Sequence, residues 1–106
     1  MTDTTQWPTP ETAYAKAPGI VREIGWTAQA AADKPFGTRM GRDFWLRKAA
    51  LLDRIALAEE AESRGGDATG AAECAAARLM DVDDSDVICD PRHYVRQQYA
   101  LWVREQ

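Results

Sequence analysis

Histidine and cysteine, the side chains behind most metal sites and much covalent catalysis, are scarce in this 106-residue chain, which has one histidine and two cysteines. Cys74, Cys89 and His93 lack the close Cys-x2-Cys pair of structural zinc sites, and one cysteine pair is no disulfide framework. No apolar run approaches the ~20 residues that a membrane span needs. The first residues do not resemble a secretory signal. We therefore expect a cytoplasmic protein with no metal, no cofactor and no membrane contact.

Alanine and arginine are abundant instead. Nineteen residues are alanine, and arginine outnumbers lysine by ten to three. Both biases are typical of GC-rich codons, which indicates a bacterial origin. Alanine is also the strongest helix former, and no segment has a convincing strand pattern. The length and the 45% apolar content indicate one ordinary globular domain.

Charge is segregated along the chain, although the net charge is only -4. Residues 34–58 include six basic and two acidic side chains, whereas residues 59–90 include two basic and ten acidic ones. Overall acidity disfavours a protein that coats nucleic acid, because such binding is mostly phosphate neutralisation. The opposite stretches either face each other in the fold or lie in solvent.

The patterning predicts an all-α protein, a small bundle of four to five helices. We expect a flexible, mobile tail over 1–9 and a single helical domain over 10–106. A capping residue followed by proline, as in Thr9-Pro10 and Asp90-Pro91, is typical of a helix start. The predicted helices span 10–17, about 19–32, 42–62, 70–81 and 91–104.

Hydrophobic periodicity predicts the buried face of each shorter helix. In the second helix the predicted face comprises Ile20, Ile24, Ala28 and Ala31. In the fourth helix it comprises Ala71, Cys74, Ala75, Leu79 and Val82. In the fifth helix it comprises Pro91, Val95, Tyr99 and Trp102.

The helix over 42–62 is apolar on two faces. Its broad face is predicted to be core and comprises Phe44, Trp45, Ala49, Leu51, Leu52, Ile55 and Ala56. A second stripe comprises Leu46, Ala50, Leu57 and Ala61. Such a helix is either central in its own domain or shared with another chain. For the second stripe both alternatives stay open, and the candidates for cover within the chain are the second helix and the tail with Trp7.

The acidic loop before the last helix partly resembles an EF-hand calcium loop. Asp81, Asp83 and Ser85 fall at the first, third and fifth ligand positions. The resemblance fails where Asp86 replaces the glycine at the sixth position and Arg92 replaces the bidentate glutamate at the twelfth. We therefore expect a solvated acidic loop that binds no metal.

Catalysis has few candidate residues. Cys89 and His93 lie near a predicted helix N-terminus, where a thiolate is favoured, but no third orienting group is evident. Gly65-Gly66 has neither the preceding strand nor the following lysine of a phosphate-binding loop. We expect that the protein is not an enzyme.

Protein–protein interaction is the function that the sequence favours. Aromatic side chains and arginine are the usual interface anchors, and the chain has four tryptophans. We expect a small non-catalytic adaptor, regulator or accessory subunit that binds another protein or a second copy of itself. The predicted partner-binding residues are Leu46, Ala50, Leu57, Ala61, Arg47, Arg54 and Trp7. The alternative is a nucleic-acid-associated regulator that uses basic clusters at 39–48 and 92–104.

Overall fold

The protein is described by a computed structural model that covers residues 7–34, 39–62 and 66–106. Every regular element in these ranges is an α-helix, which confirms the predicted all-α fold. None of the described helices is long and apolar enough to cross a membrane. The helices are α1 (Pro10–Ala13), α2 (Ile20–Asp33), α3 (Arg42–Ala61), α4 (Asp67–Val82) and α5 (Pro91–Arg104).

Helix α3 lies at the centre of the bundle. It contacts α2, α4 and α5, while α1 and α4 also lie against α5. Because neighbours surround it, α3 is buried on more than one side, as its two apolar faces require. The main core cluster comprises Leu46, Ala49, Ala50, Ala76, Leu79, Tyr94, Val95 and Tyr99.

Both predicted proline-bearing helix starts are confirmed. The Asp90 carboxylate accepts a hydrogen bond from the Arg92 backbone N–H at 2.9 Å, and the Thr9 hydroxyl accepts one from the Thr12 backbone N–H at 3.2 Å. Helix α1 is shorter than predicted, because it ends at Ala13 and the chain turns at Tyr14. The Tyr14 side chain is bonded to α3, so a tertiary contact accompanies this early end.

Helix α2 docks with a different face from the one that its periodicity predicts. Ile24 is 47% exposed, and Ala28 and Ala31 are exposed as well. Instead Glu23 is buried, because its carboxylate pairs with Arg47 of α3 at 2.6 Å. An ion pair therefore sets the rotation of α2 against α3.

The predicted face of α4 is also wrong in part. Leu79 is buried, but Cys74 and Val82 are exposed, and the other buried residues are Ala72 and Ala76. Alanine occurs on several sides of this helix, so periodicity does not separate a buried stripe from an exposed one. The small side chains of Ala72 and Ala76 let α4 lie close to its neighbours.

Several sequence predictions fall on residues whose structure is not described. Residues 1–6 of the predicted tail and Gly65 of the Gly65-Gly66 pair lie outside the described residues. Trp7, at the start of the described chain, is half-buried, and the centroid of its ring lies 6.3 Å from that of His93. The tail therefore contacts α5 at this point.

Candidate functional site

The predicted partner-binding stripe of α3 does not form one exposed surface. Leu46 is fully buried and Ala50 is 2% exposed, both in the core of the chain itself. Leu57 is half-buried and Ala61 is exposed. Of the two alternatives for this stripe, burial within its own chain is therefore the correct one for Leu46 and Ala50. These two residues are not accessible to a second chain.

The arginines that flank the stripe also contact this chain. The Arg47 guanidinium carbon lies 3.4 Å from the ring centroid of Trp26, and its Nη2 donates to Glu23. The Arg54 guanidinium carbon lies 5.9 Å from the ring centroid of Tyr14. The structure does not bring Trp7 to these residues, because it places Trp7 beside His93.

Four arginines of the two predicted basic clusters form ion pairs. Arg42 pairs with Asp83 at 2.6 Å, and Arg47 pairs with Glu23. Arg92 and Arg96 are buried and pair with acidic residues of α3. One of these pairs, Arg42–Asp83, joins the basic stretch 34–58 to the acidic stretch 59–90. Neither cluster presents the continuous row of free cations that phosphate binding would use.

Asp53 is the centre of a polar cluster whose charged core, with Arg92 and Arg96, is buried. Its side chain is 1% exposed and accepts hydrogen bonds from Arg92 Nε at 2.6 Å and from Arg96 Nε at 2.8 Å. The Tyr14 hydroxyl donates to the same carboxylate at 2.6 Å. Arg92 Nη1 also donates to Glu60 at 2.8 Å. We call these five residues the Asp53 cluster, which joins α3, α5 and the end of α1.

The Asp53 cluster changes the acidity of its members. Burial alone would raise the pKa of Asp53, but the hydrogen bonds from Arg96, Tyr14 and Arg92 outweigh it and hold the pKa below its usual range. The hydrogen bonds from Arg92 and Thr69 lower the pKa of Glu60 to about 2. Both carboxylates are therefore ionised at neutral pH, as the arginines require.

A second polar cluster closes the end of the bundle where α3 begins. The Asp83 carboxylate accepts hydrogen bonds from Arg42 Nε and from the Tyr94 hydroxyl, both at 2.6 Å. Arg42 also donates to Gln98 at 2.9 Å. Asp83, which falls at the third ligand position of the partial EF-hand resemblance, is thus bonded to side chains of this chain. The described residues hold no group of three potential metal ligands.

The chemistry at Cys89 is that of a packed thiol. Cys89 is half-buried against the core. Burial and the negative charge of Asp90 raise the pKa of its thiol. A raised pKa lowers the thiolate fraction at neutral pH, and the thiolate is the nucleophilic form.

A groove of about 410 Å³ lies between α3 and α4. Its apolar lining comes from the Trp45 and Leu52 side chains and from three small residues of α4. We call this surface the Trp45 groove. Its residues are Trp45, Lys48, Leu52, Ala71, Cys74, Ala75 and Arg78.

Two cations stand over the aromatic ring of the Trp45 groove. Lys48 Nζ lies 5.4 Å and the Arg78 guanidinium carbon 5.0 Å from a ring centroid of Trp45. Within the described ranges neither cation has an ion-pair partner. A depression lined also by Arg39, Met40, Asp81 and Val82 continues the groove beyond Trp45, and it adds one carboxylate to the arginines there. The Trp45 groove itself is apolar in its floor and basic at its rim.

The sequence prediction placed Trp45 and Leu52 in the core face of α3 and missed the groove. It also placed Cys74 in the core, whereas Cys74 is exposed and lines the groove. The sequence feature that could have indicated the groove is Lys48, a cation within the predicted apolar face of α3. Helix α4, which lies opposite, carries small side chains. Alanine and cysteine are too short to fill the space beside a tryptophan, so an open groove results.

Comparison with known proteins identifies no relative. No protein-family description, no curated protein and no solved structure matches this chain.

We predict that Asp53→Asn lowers the free energy of unfolding by about 3–5 kcal/mol, because buried Arg96 loses its carboxylate partner and buried Arg92 keeps only Glu60. The measurement is urea unfolding at neutral pH, followed by circular dichroism. The matched control is Asp86→Asn, the same chemical change on an exposed loop residue, which should change stability by less than about 0.5 kcal/mol. Equal effects of the two substitutions would contradict this role of Asp53.

Stability should decline at both extremes of pH. The pKa values of Asp53, Glu60 and Asp83 are lowered in the folded protein, so their stabilisation is present above the ordinary carboxyl pKa of about 4. It is lost as the pH falls from there toward the folded pKa, which for Glu60 is about 2. Burial raises the pKa values of Tyr14 and Tyr94, so their stabilisation is lost as the pH rises above about 10.

Urea unfolding between pH 2 and pH 11 checks this expectation. The free energy of unfolding should be level between about pH 5 and pH 9, and it should fall on either side. In Asp53→Asn the acid decline should be shallower, because one of the contributing carboxylates is gone. A wild-type stability that does not change between pH 5 and pH 2 would show that the carboxylates are not coupled to folding.

Proposed function

We propose that this chain is a cytoplasmic, non-catalytic protein-interaction module that binds an acidic amphipathic segment of its partner in the Trp45 groove. Such a module serves as an adaptor, a regulator or an accessory subunit. The observation that carries the proposal is the pair of cations, Lys48 and Arg78, that lie over an apolar groove and have no carboxylate partner among the described residues.

The apolar floor supplies affinity in this proposal. Trp45 is half-buried and its groove side is lined by Leu52 and by small residues of α4. Aromatic side chains in partly enclosed pockets dominate the binding energy of many protein interfaces. A partner's apolar side chain would remove this surface from water, which stabilises a complex by about 25 cal/mol per Å² buried.

The basic rim supplies selectivity. Arg42, at the start of α3, is neutralised by Asp83. Within the described part of the chain Lys48 and Arg78 have no carboxylate partner, so an acidic segment is attracted and a basic one is repelled. Charge complementarity of this kind sets partner choice more than it sets affinity.

Nucleic acid is the weaker candidate for the same site. Its binding depends on several free cations that neutralise successive phosphates. Arg92 and Arg96 of the predicted basic cluster are buried in the Asp53 cluster. The chain is also acidic overall, with a net charge of -4.

Two synthetic amphipathic peptides test the proposal. One has leucine on one helical face and glutamate on the other, and its counterpart has lysine in place of glutamate. In two-dimensional amide NMR the Leu/Glu peptide should shift the resonances of Trp45, Leu52, Cys74 and Arg78, and the Leu/Lys peptide should not. Duplex DNA is the third probe and should leave these resonances unchanged at moderate salt.

Charge-reversal variants identify the groove as the binding site. Lys48→Glu combined with Arg78→Glu should weaken binding of the Leu/Glu peptide by about tenfold or more. The matched control, Arg22→Glu with Arg104→Glu, makes the same change of net charge at exposed positions outside the groove. The proposal is wrong if both double variants weaken binding equally, or if DNA rather than the Leu/Glu peptide shifts the groove resonances.

A further inference from the structure

The loop between α4 and α5 presents an apolar tip among carboxylates. Ile88 is 100% exposed and Val87 is 47% exposed. Asp84 and Asp86, in the same loop, are also exposed. We call residues 84–88 the Ile88 loop, and its chemistry is the acidic and apolar combination that the Trp45 groove would bind.

The Ile88 loop is held in place at both ends. Before it, Asp83 is bonded to Arg42 and to the Tyr94 hydroxyl. After it, Cys89 packs against the core and Asp90 caps α5. Because its ends are fixed, the loop presents Ile88 in a defined position, and a preorganised segment loses less conformational entropy on binding.

Internal hydrogen bonds further define the shape of the loop. The Ser85 backbone N–H donates to the Met80 carbonyl at 2.9 Å. The Val87 backbone N–H donates to the Ser85 hydroxyl at 3.3 Å. Asp84 adopts a left-handed conformation with φ of 52°, which reverses the chain after α4. These features turn Ile88 outward and away from the core of its own chain.

We infer that the occupant of the Trp45 groove is the Ile88 loop of a second copy of this chain, in a reciprocal dimer; this inference rests on the function proposed above. The charges match, since the loop carries carboxylates and the groove rim carries Lys48 and Arg78. The loop leaves its own groove unfilled, because Ile88 is fully exposed within its own chain.

The position of the loop favours a closed pair. Val82, which lines the continuation of the groove, is only a few residues before the Ile88 loop. The groove itself runs along α4 from Ala71 to Arg78. Its continuation reaches Val82, the end of α4 from which the Ile88 loop leaves. A twofold axis between two copies would set each loop on the other copy's groove, and such a contact closes on itself without forming a filament.

The strength of this dimer follows from its size. One loop and one shallow groove on each side make a small interface, and interfaces below about 1,200 Å² are typical of weak, transient complexes. We therefore expect a rapid monomer–dimer equilibrium that sedimentation equilibrium detects as the protein concentration increases.

Substitution of the loop tip is the first arm of the test. Ile88→Ser should raise the dimer Kd about tenfold or more, because two isoleucines leave the interface. The matched control is Val21→Ser, since Val21 is 83% exposed and lies on α2, outside the groove and the loop. Both residues are exposed in the monomer, so neither change should unfold it, and circular dichroism checks this.

A charge exchange between copies is the second arm. Arg78→Glu and Asp86→Lys should each favour the monomer, because each homodimer would hold two like-charge contacts. Mixed one to one, the two variants should form a heterodimer, since both contacts then join opposite charges. Only a reciprocal contact between loop and groove predicts that the two monomeric variants form a heterodimer when they are mixed.

Any of three results would overturn the inference. The wild-type protein could stay monomeric at every concentration, or Ile88→Ser and Val21→Ser could have equal dimer Kd values. The third is a one to one mixture of Arg78→Glu and Asp86→Lys that stays monomeric. These outcomes are separate from a failure of the proposed function. If the Leu/Glu peptide still binds the groove of a monomeric protein, the function stands and the occupant is a different protein. If the peptide does not bind either, both proposals are wrong.

Discussion

A single buried carboxylate, that of Asp53 in the middle of α3, joins three of the helices. It accepts hydrogen bonds from Arg92 and Arg96 of α5 and from Tyr14 at the end of α1. Much of the surrounding core is alanine, and small side chains constrain the rotation of a helix only weakly. A buried ion pair adds little net stability, yet a bundle that breaks it leaves uncompensated charges. We infer that the cluster selects one arrangement of helices among several that alanine packing would allow.

Ion pairing inside the bundle also decides which cations remain unpaired at the surface. Arg42, Arg47, Arg92 and Arg96 are engaged by carboxylates of this chain. Among the described cations without a carboxylate partner, Arg54 lies over Tyr14, and Lys48 and Arg78 lie over Trp45, where the small residues of α4 leave an open groove. An interaction site thus follows from two simple facts, namely which arginines are paired and where alanine is too small to fill the space.

The sequence predicted the elements better than it predicted their buried faces. Strong local signals, such as the Asp90 cap and the spacing of Val95 and Tyr99, predicted α5 correctly. Alanine-rich helices carry apolar residues on several sides, so periodicity chose the wrong faces for α2 and for part of α4. The nucleic-acid alternative needs Arg92 and Arg96 at the surface, whereas they are buried. Their burial depends on Asp53, a residue distant in the sequence. The groove was missed for the same reason, since it depends on which face of α4 meets α3.

Coupling between Asp53 and Arg96 is the most direct measure of whether this cluster orders the bundle. A double-mutant cycle with Asp53→Asn and Arg96→Gln, followed by urea unfolding, separates their interaction from the separate effects of each substitution. We expect an interaction energy of about 2 kcal/mol or more, near the upper part of the range for residues in one buried network. Effects that add within about 0.5 kcal/mol would contradict the account, because independent residues behave in that way.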